Sequence, residues 1–124
     1  MPHPTLLCDP RDVLTSTGAT DVLVYRRAAG GRFVLTSPQL DGMAADVLLD
    51  DEPTVREALT AGLRRVACER PRPICGGYTA RAAAIVAVDV DVVVVLGRRD
   101  GCLAGVSDDT LIAAAVAAAG AVSA

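Results

Sequence analysis

The densest apolar pattern in the chain runs from Ala82 to Leu96 (AAAIVAVDVDVVVVL) and is broken only by Asp89 and Asp91. β-Branched side chains lose rotamer freedom in a helix and pack well on a pleated surface, so this run predicts central β-structure. On an extended chain Asp89 and Asp91 point to one side, and Val88, Val90 and Val92 point to the other. A single long strand with a wet middle fits this pattern, and so does a hairpin that reverses at Asp89 to Asp91. Ordinary strand lengths of about 5–6 residues favour the hairpin. The stretch Gly97-Arg98-Arg99-Asp100-Gly101 reads as the turn that follows.

Other elements follow from the same periodicities. Asp9-Pro10 is a helix start and Gly18 a natural stop. Asp21 to Arg27 and Arg32 to Ser37 alternate as strands around Ala28-Ala29-Gly30-Gly31, which predicts a β-hairpin. Pro38 to Ala45 reads as loop, and Asp46 to Asp50 as a short strand or a loop edge. The clearest helix opens at Asp51-Glu52-Pro53-Thr54. There Val55, Ala58, Leu59, Gly62, Leu63 and Val66 fall on one face at about 3.6 residues per turn, and Glu52 can support Arg56 across its first turn. Glu69 to Gly77, with two prolines and two glycines, reads as an irregular loop, and Tyr78 to Arg81 as its lead into the central strands. Ser107-Asp108-Asp109 caps a last helix, which is almost bare of polar side chains from Leu111 to Ala124. A helix apolar all round is normally buried on more than one side. Its outer alanine face is therefore expected to meet a partner chain.

The expected fold class is α+β: one domain over residues 9–124 with an antiparallel sheet flanked by helices, preceded by a loose lead-in over residues 1–8. A length of 124 residues suits one core. Hydrophobic residues make up 52% of the chain and aromatics 2%, so that core must be aliphatic and offers no aromatic platform for bases or sugars. All 12 basic residues are arginine and they face 15 acids, for a net charge of -3, which argues against nucleic acid as a partner. The Ala, Arg and Val bias without lysine is that of GC-rich bacterial coding. The chain carries no h-region behind a basic start and no apolar run of about 20 residues, so a cytoplasmic location without a membrane span is expected. Cys8, Cys68, Cys75 and Cys102 should then be thiols. They lack a close CxxC spacing, so no metal and no cofactor is expected.

Candidate chemistry gathers around the Pro/Gly-rich segment. Cys75 stands beside Gly76-Gly77, where a ligand could approach the backbone and Arg72 or Arg81 could lower a thiol pKa; the plain alternative is an ordinary loop cysteine. Arg64, Arg65, Arg70, Arg72 and Arg81 could line an anion pocket, or simply form a solvated face. Asp89 and Asp91 lack the burial that splits the pKa values of a catalytic carboxylate pair. His3 lies in the lead-in and carries no catalytic expectation.

The order helix, hairpin, helix, paired strands, helix resembles a GAF domain, the small-molecule-sensing fold related to PAS domains. Four stretches carry the resemblance: VLVYRRAAGGRFVLTS (Val22 to Ser37), PTVREALTAG (Pro53 to Gly62), AAAIVAVDVDVVVVLGRRDG (Ala82 to Gly101) and VSDDTLIAAAVAAAGAV (Val106 to Val122). The resemblance implies a sensory or regulatory domain that binds a small molecule and signals as a homodimer through its C-terminal helix. Ligand contacts are then expected at Arg72, Cys75, Tyr78 and Arg81. One GAF subfamily reduces free methionine sulfoxide with cysteines, which makes a thiol-dependent enzyme using Cys75 the alternative. A non-catalytic adaptor of the roadblock or profilin-like kind is a third reading.

Overall fold

The computed structural model describes residues 17–37, 47–75 and 78–123. The lead-in, the helix expected from Asp9, the loop Pro38 to Ala45, and Cys8 and His3 lie outside them, Thr17 apart. Six strands form one sheet: β1 (Asp21–Ala28), β2 (Arg32–Ser37), β3 (Val47–Leu49), β4 (Leu63–Cys75), β5 (Tyr78–Asp89) and β6 (Val92–Arg98). Their spatial order is β3-β2-β1-β6-β5-β4, and every neighbouring pair is antiparallel. Among the described residues two helices, α1 (Pro53–Ala61) and α2 (Asp108–Ser123), accompany the sheet in an α+β fold.

The valine-rich run is the hairpin, with Val90 and Asp91 between β5 and β6. Glycine is unnecessary at this turn, because Asp89 Oδ1 accepts the Asp91 N–H at 2.7 Å and closes it from a side chain. Arg27 supports the turn from β1: its Nε and Nη2 donate to Val90 O at 3.0 and 2.8 Å, and its guanidinium lies over the Phe33 ring.

Both faces of the sheet are apolar, and among the described residues α2 covers one of them and α1 the other. Val22, Val24, Ala84, Val86, Val94 and Leu96 pack with Leu111, Ala115 and Ala118 of α2. Leu23, Tyr25, Ala83, Ile85, Val93 and Val95 point the other way, toward Val55 and Ala58 of α1. Alternation therefore puts Ala82 to Val86 and Val92 to Leu96 into a core on one side or the other, while the turn at Asp89 to Asp91 faces water, which is what paired strands buried on both faces require. Alanine dominates α2 where it meets the sheet, so backbones approach closely. On the outer side of α2 Val116 is 51% exposed and Ile112 38%. No helix among the described residues is long and apolar enough to cross a membrane.

Four expectations are corrected. The α1 helix does not continue to Val66: Gly62 takes φ 90°, donates its N–H to Ala58 O at 2.7 Å, and turns the chain into β4. Leu63 and Val66 mimic a helical face but instead pair with Val86 and Ala83. Glu69 to Cys75 is not an irregular loop but the far part of β4, and the prolines are tolerated because β4 is the last strand in the sheet and its outer edge needs no partner. The irregularity survives as a register shift between Ala67 and Arg72. Gly97 and Arg98 belong to β6 rather than to the turn, and Tyr78 to Arg81 already form β5.

A side chain at position 62 would meet nothing within 4 Å, so Gly62→Ala is penalised by its backbone alone. The expected loss is about 1–2 kcal/mol, the cost of a left-handed residue with a Cβ. The urea midpoint measures it, and Gly62→Asn should lose less.

Candidate functional site

The end of the sheet next to α1 gathers polar groups on an otherwise aliphatic face. Cys75 and Tyr78 stand opposite one another as the last pair of β4 and β5. Both are buried, and both belong to the core beneath α1. The Tyr78 hydroxyl donates to Asp21 Oδ2 at 2.6 Å. Asp21, the first residue of β1, is itself buried and is ion-paired through Oδ2 with Arg99 Nε at 3.3 Å. The phenol reaches this carboxylate by crossing β6 at Gly97, where a Cβ would stand 1.9 Å from the hydroxyl. Glycine at position 97 is therefore required by close approach, not by backbone conformation.

Burial, with the charge of Glu52 second, pushes the Cys75 thiol up to about 12, so it is a protonated, inert core thiol at neutral pH. Burial, followed by the hydrogen bond to Asp21, also moves the Tyr78 phenol upward. Both groups hold their protons in the folded chain after the unfolded chain has released them. Their stabilising contribution is thus complete below about pH 8.5–10, where unfolded thiols and phenols titrate, and is lost as pH rises beyond that range. Stability should fall above about pH 9, at up to about 1.4 kcal/mol per pH unit for each group once its unfolded form has ionised. Urea midpoints measured between pH 8 and 11 test this, and Tyr78→Phe should flatten the upper part of the decline.

The expected ligand residues are only partly brought together. Cys75 and Tyr78 converge, but Arg72 is exposed on β4 opposite Ala80, and Arg81 lies half-buried at the register shift with a buried Nε that has no hydrogen-bond partner. The wider arginine cluster is dispersed. Arg64 Nε pairs with Glu57 Oε2 at 3.1 Å, whereas Arg65 crosses to the loop before α2, donating to Leu103 O, to Val106 O at 2.7 Å and to Asp108 Oδ1 at 2.8 Å. Arg70 is exposed. Asp89 is a turn cap and Asp91 an ion-pair partner of Arg27 at 3.2 Å, so neither is placed for acid–base chemistry.

Asp21, Gly97 and Arg99 were not singled out from the sequence. Asp21 is a lone acid at the head of an apolar strand, a position that usually faces water, and Gly97 resembles a turn glycine because Arg98-Arg99-Asp100-Gly101 follows it. Elsewhere an open, largely apolar groove of about 220 Å³ is lined by Val66, Ala67, Ala82, the buried Leu103 and the exposed Cys102. No group of three or more potential metal ligands occurs among the described residues. Comparison with protein-family models, with curated proteins and with solved structures finds no significant match, so the geometry of this cluster is what carries a functional reading.

Proposed function

We propose that this chain is a GAF-like sensory or regulatory domain that holds a small ligand at the α1 side of the sheet and signals by association through α2. The observation supporting a binding role is the Asp21, Tyr78 and Arg99 cluster beside Cys75: a few convergent polar groups on an apolar face form the usual composition of a small-molecule site. The reading does not include catalysis, because a thiol held protonated and buried is a poor nucleophile. Ligand and association are linked only insofar as the ligand prefers one arrangement of the helices, so the mechanism is a population shift.

A second reading, the roadblock or profilin-like adaptor, is favoured by the exposed Ile112 and Val116 on α2. Native mass spectrometry of protein purified from its own host separates the two. A dimer carrying a small molecule supports the sensor, and a dimer without one supports the adaptor. A bare monomer removes both. Rapid, selective alkylation of Cys75 at neutral pH would instead restore the thiol enzyme.

A further inference from the structure

β4 is the last strand of the described sheet, and the first half of its outer edge is open. Gly62 O accepts the Ala87 N–H at 3.0 Å, and Leu63 stands opposite Val86. In an antiparallel ladder this makes Leu63 and Val86 a non-hydrogen-bonded pair, so Arg64 and Val66 bond to β5 while Leu63, Arg65 and Ala67 turn their N–H and C=O groups outward. Among the described residues no strand lies beyond them, and the Arg65 carbonyl is covered by Arg64 Nη1. Sheet edges are usually closed by prolines, bulges or charges, because an open edge recruits other strands. Pro71, Pro73 and the register shift after Ala67 close the far half of this one. Leu63 to Ala67 lacks such a block: the guanidinium groups of Arg64 and Arg65 are drawn to Glu57 and Asp108 on opposite faces of the sheet. A second feature meets the same residues. The apolar groove lined by Val66, Ala67, Ala82, Cys102 and Leu103 begins at this edge, and its floor is low because Ala67 and Ala82 are cross-strand neighbours with short side chains. Farther along β4, Arg70 and Arg72 are exposed and have no ion-pair partner among the described residues.

We infer that β4 between Leu63 and Ala67 is a docking edge for an extended acidic peptide of another protein, which adds a further strand to the sheet, sets an aliphatic side chain in the groove and places its carboxylates against Arg70 and Arg72. In this mode of recognition backbone pairing supplies affinity and the adjoining groove selects the side chain. An antiparallel strand, the commoner orientation, brings its N-terminal end to Arg70 and Arg72, so the acidic residues precede the aliphatic one. Charge argues against a second copy of this chain as the occupant. Each β4 carries four arginines and one acid, and two of them side by side would oppose like charges. The inference needs nothing from the Cys75 and Tyr78 cluster and goes beyond the ligand reading.

A phage library of random dodecapeptides panned on the intact protein should enrich sequences in which Asp or Glu lies N-terminal to Leu, Ile or Val. The enriched peptide is then synthesised with one backbone nitrogen methylated at a time and measured by fluorescence polarisation. Methylation should weaken binding at least tenfold at the nitrogens that face β4 and leave it within twofold at the alternate ones. Arg70→Gln combined with Arg72→Gln should weaken binding at least fivefold and flatten its salt dependence. Ala67→Pro, which removes an outward N–H and no bond to β5, should weaken it at least tenfold. If Ala67→Pro does not fold, the methylated peptides decide alone. Failure to enrich any peptide, enrichment of basic ones, or binding indifferent to the position of the methyl group overturns the inference. So does a dimer of the free protein that Ala67→Pro dissociates, because the edge then belongs to a second copy.

Discussion

Gly97→Ala should be the most damaging single-methyl change in the described chain. The added carbon would lie 1.9 Å from the Tyr78 hydroxyl and 2.5 Å from two of its ring carbons. The ring cannot step aside cheaply, because Tyr78 is fully buried and packed among Leu23, Ala80 and Val95. Relief requires Tyr78 to leave Asp21, which adds the loss of a charge-assisted hydrogen bond of about 1.5–3 kcal/mol to an overpacking cost of about 1–3 kcal/mol. The expected destabilisation is about 3–5 kcal/mol by equilibrium unfolding in urea. Tyr78→Phe keeps the ring and loses only the hydrogen bond, so it should cost the smaller of these amounts. The informative measurement is the double variant. With Tyr78→Ala already present the added methyl finds space, so Gly97→Ala should then cost much less than it does alone. Additive costs would mean that the two residues do not meet.

Ile85→Ala is expected to destabilise by about 2–5 kcal/mol, whereas Val90→Ala in the same valine-rich run should stay within about 0.5 kcal/mol. Ile85 is fully buried in the middle of β5, pairs with Val95, and faces the α1 side of the core. Removing its outer carbons leaves a cavity that a sheet held by neighbours on both sides cannot collapse into. Val90 is 72% exposed at the tip of the β5–β6 turn and contributes its carbonyl, not its side chain, to Arg27. Urea midpoints at unchanged slope provide the test. Similar losses at the two positions would mean that the run is not a hairpin with its tip in water.

Much of the architecture is legible where one periodicity holds without competition. The hairpin of β1 and β2, the paired strands on either side of Val90 and Asp91, the helix start at Pro53 and the Ser107 cap of α2 are local. Each depends on side-chain alternation, a turn residue or a capping oxygen within a few positions. Ser107 Oγ, for example, accepts the Thr110 N–H at 3.2 Å. The segment from Leu63 to Cys75 fails this test for a definite reason. Leu63 and Val66 satisfy a helical stripe, and Pro71 and Pro73 signal a loop, but pairing with β5 supplies the backbone hydrogen bonds that decide the matter.

The candidate site was half legible. Glycines and arginines surround Cys75 and Tyr78 in sequence, but their environment is the opposite of what those neighbours suggest: Arg72 is exposed, and the thiol pKa is raised rather than lowered. Their true polar partner, Asp21, is 57 residues from Tyr78 and becomes its neighbour only because β6 lies between β1 and β5 with a glycine at the crossing point.

From residue types alone the chain determines an aliphatic, antiparallel α+β domain with a valine hairpin at its centre, because side-chain branching and alternation act over a few residues. Only the folded arrangement decides which charges are buried together. The energy of placing Asp21, Tyr78 and Arg99 in contact depends on strand order and on shared exclusion of water, quantities that no local stretch of sequence contains.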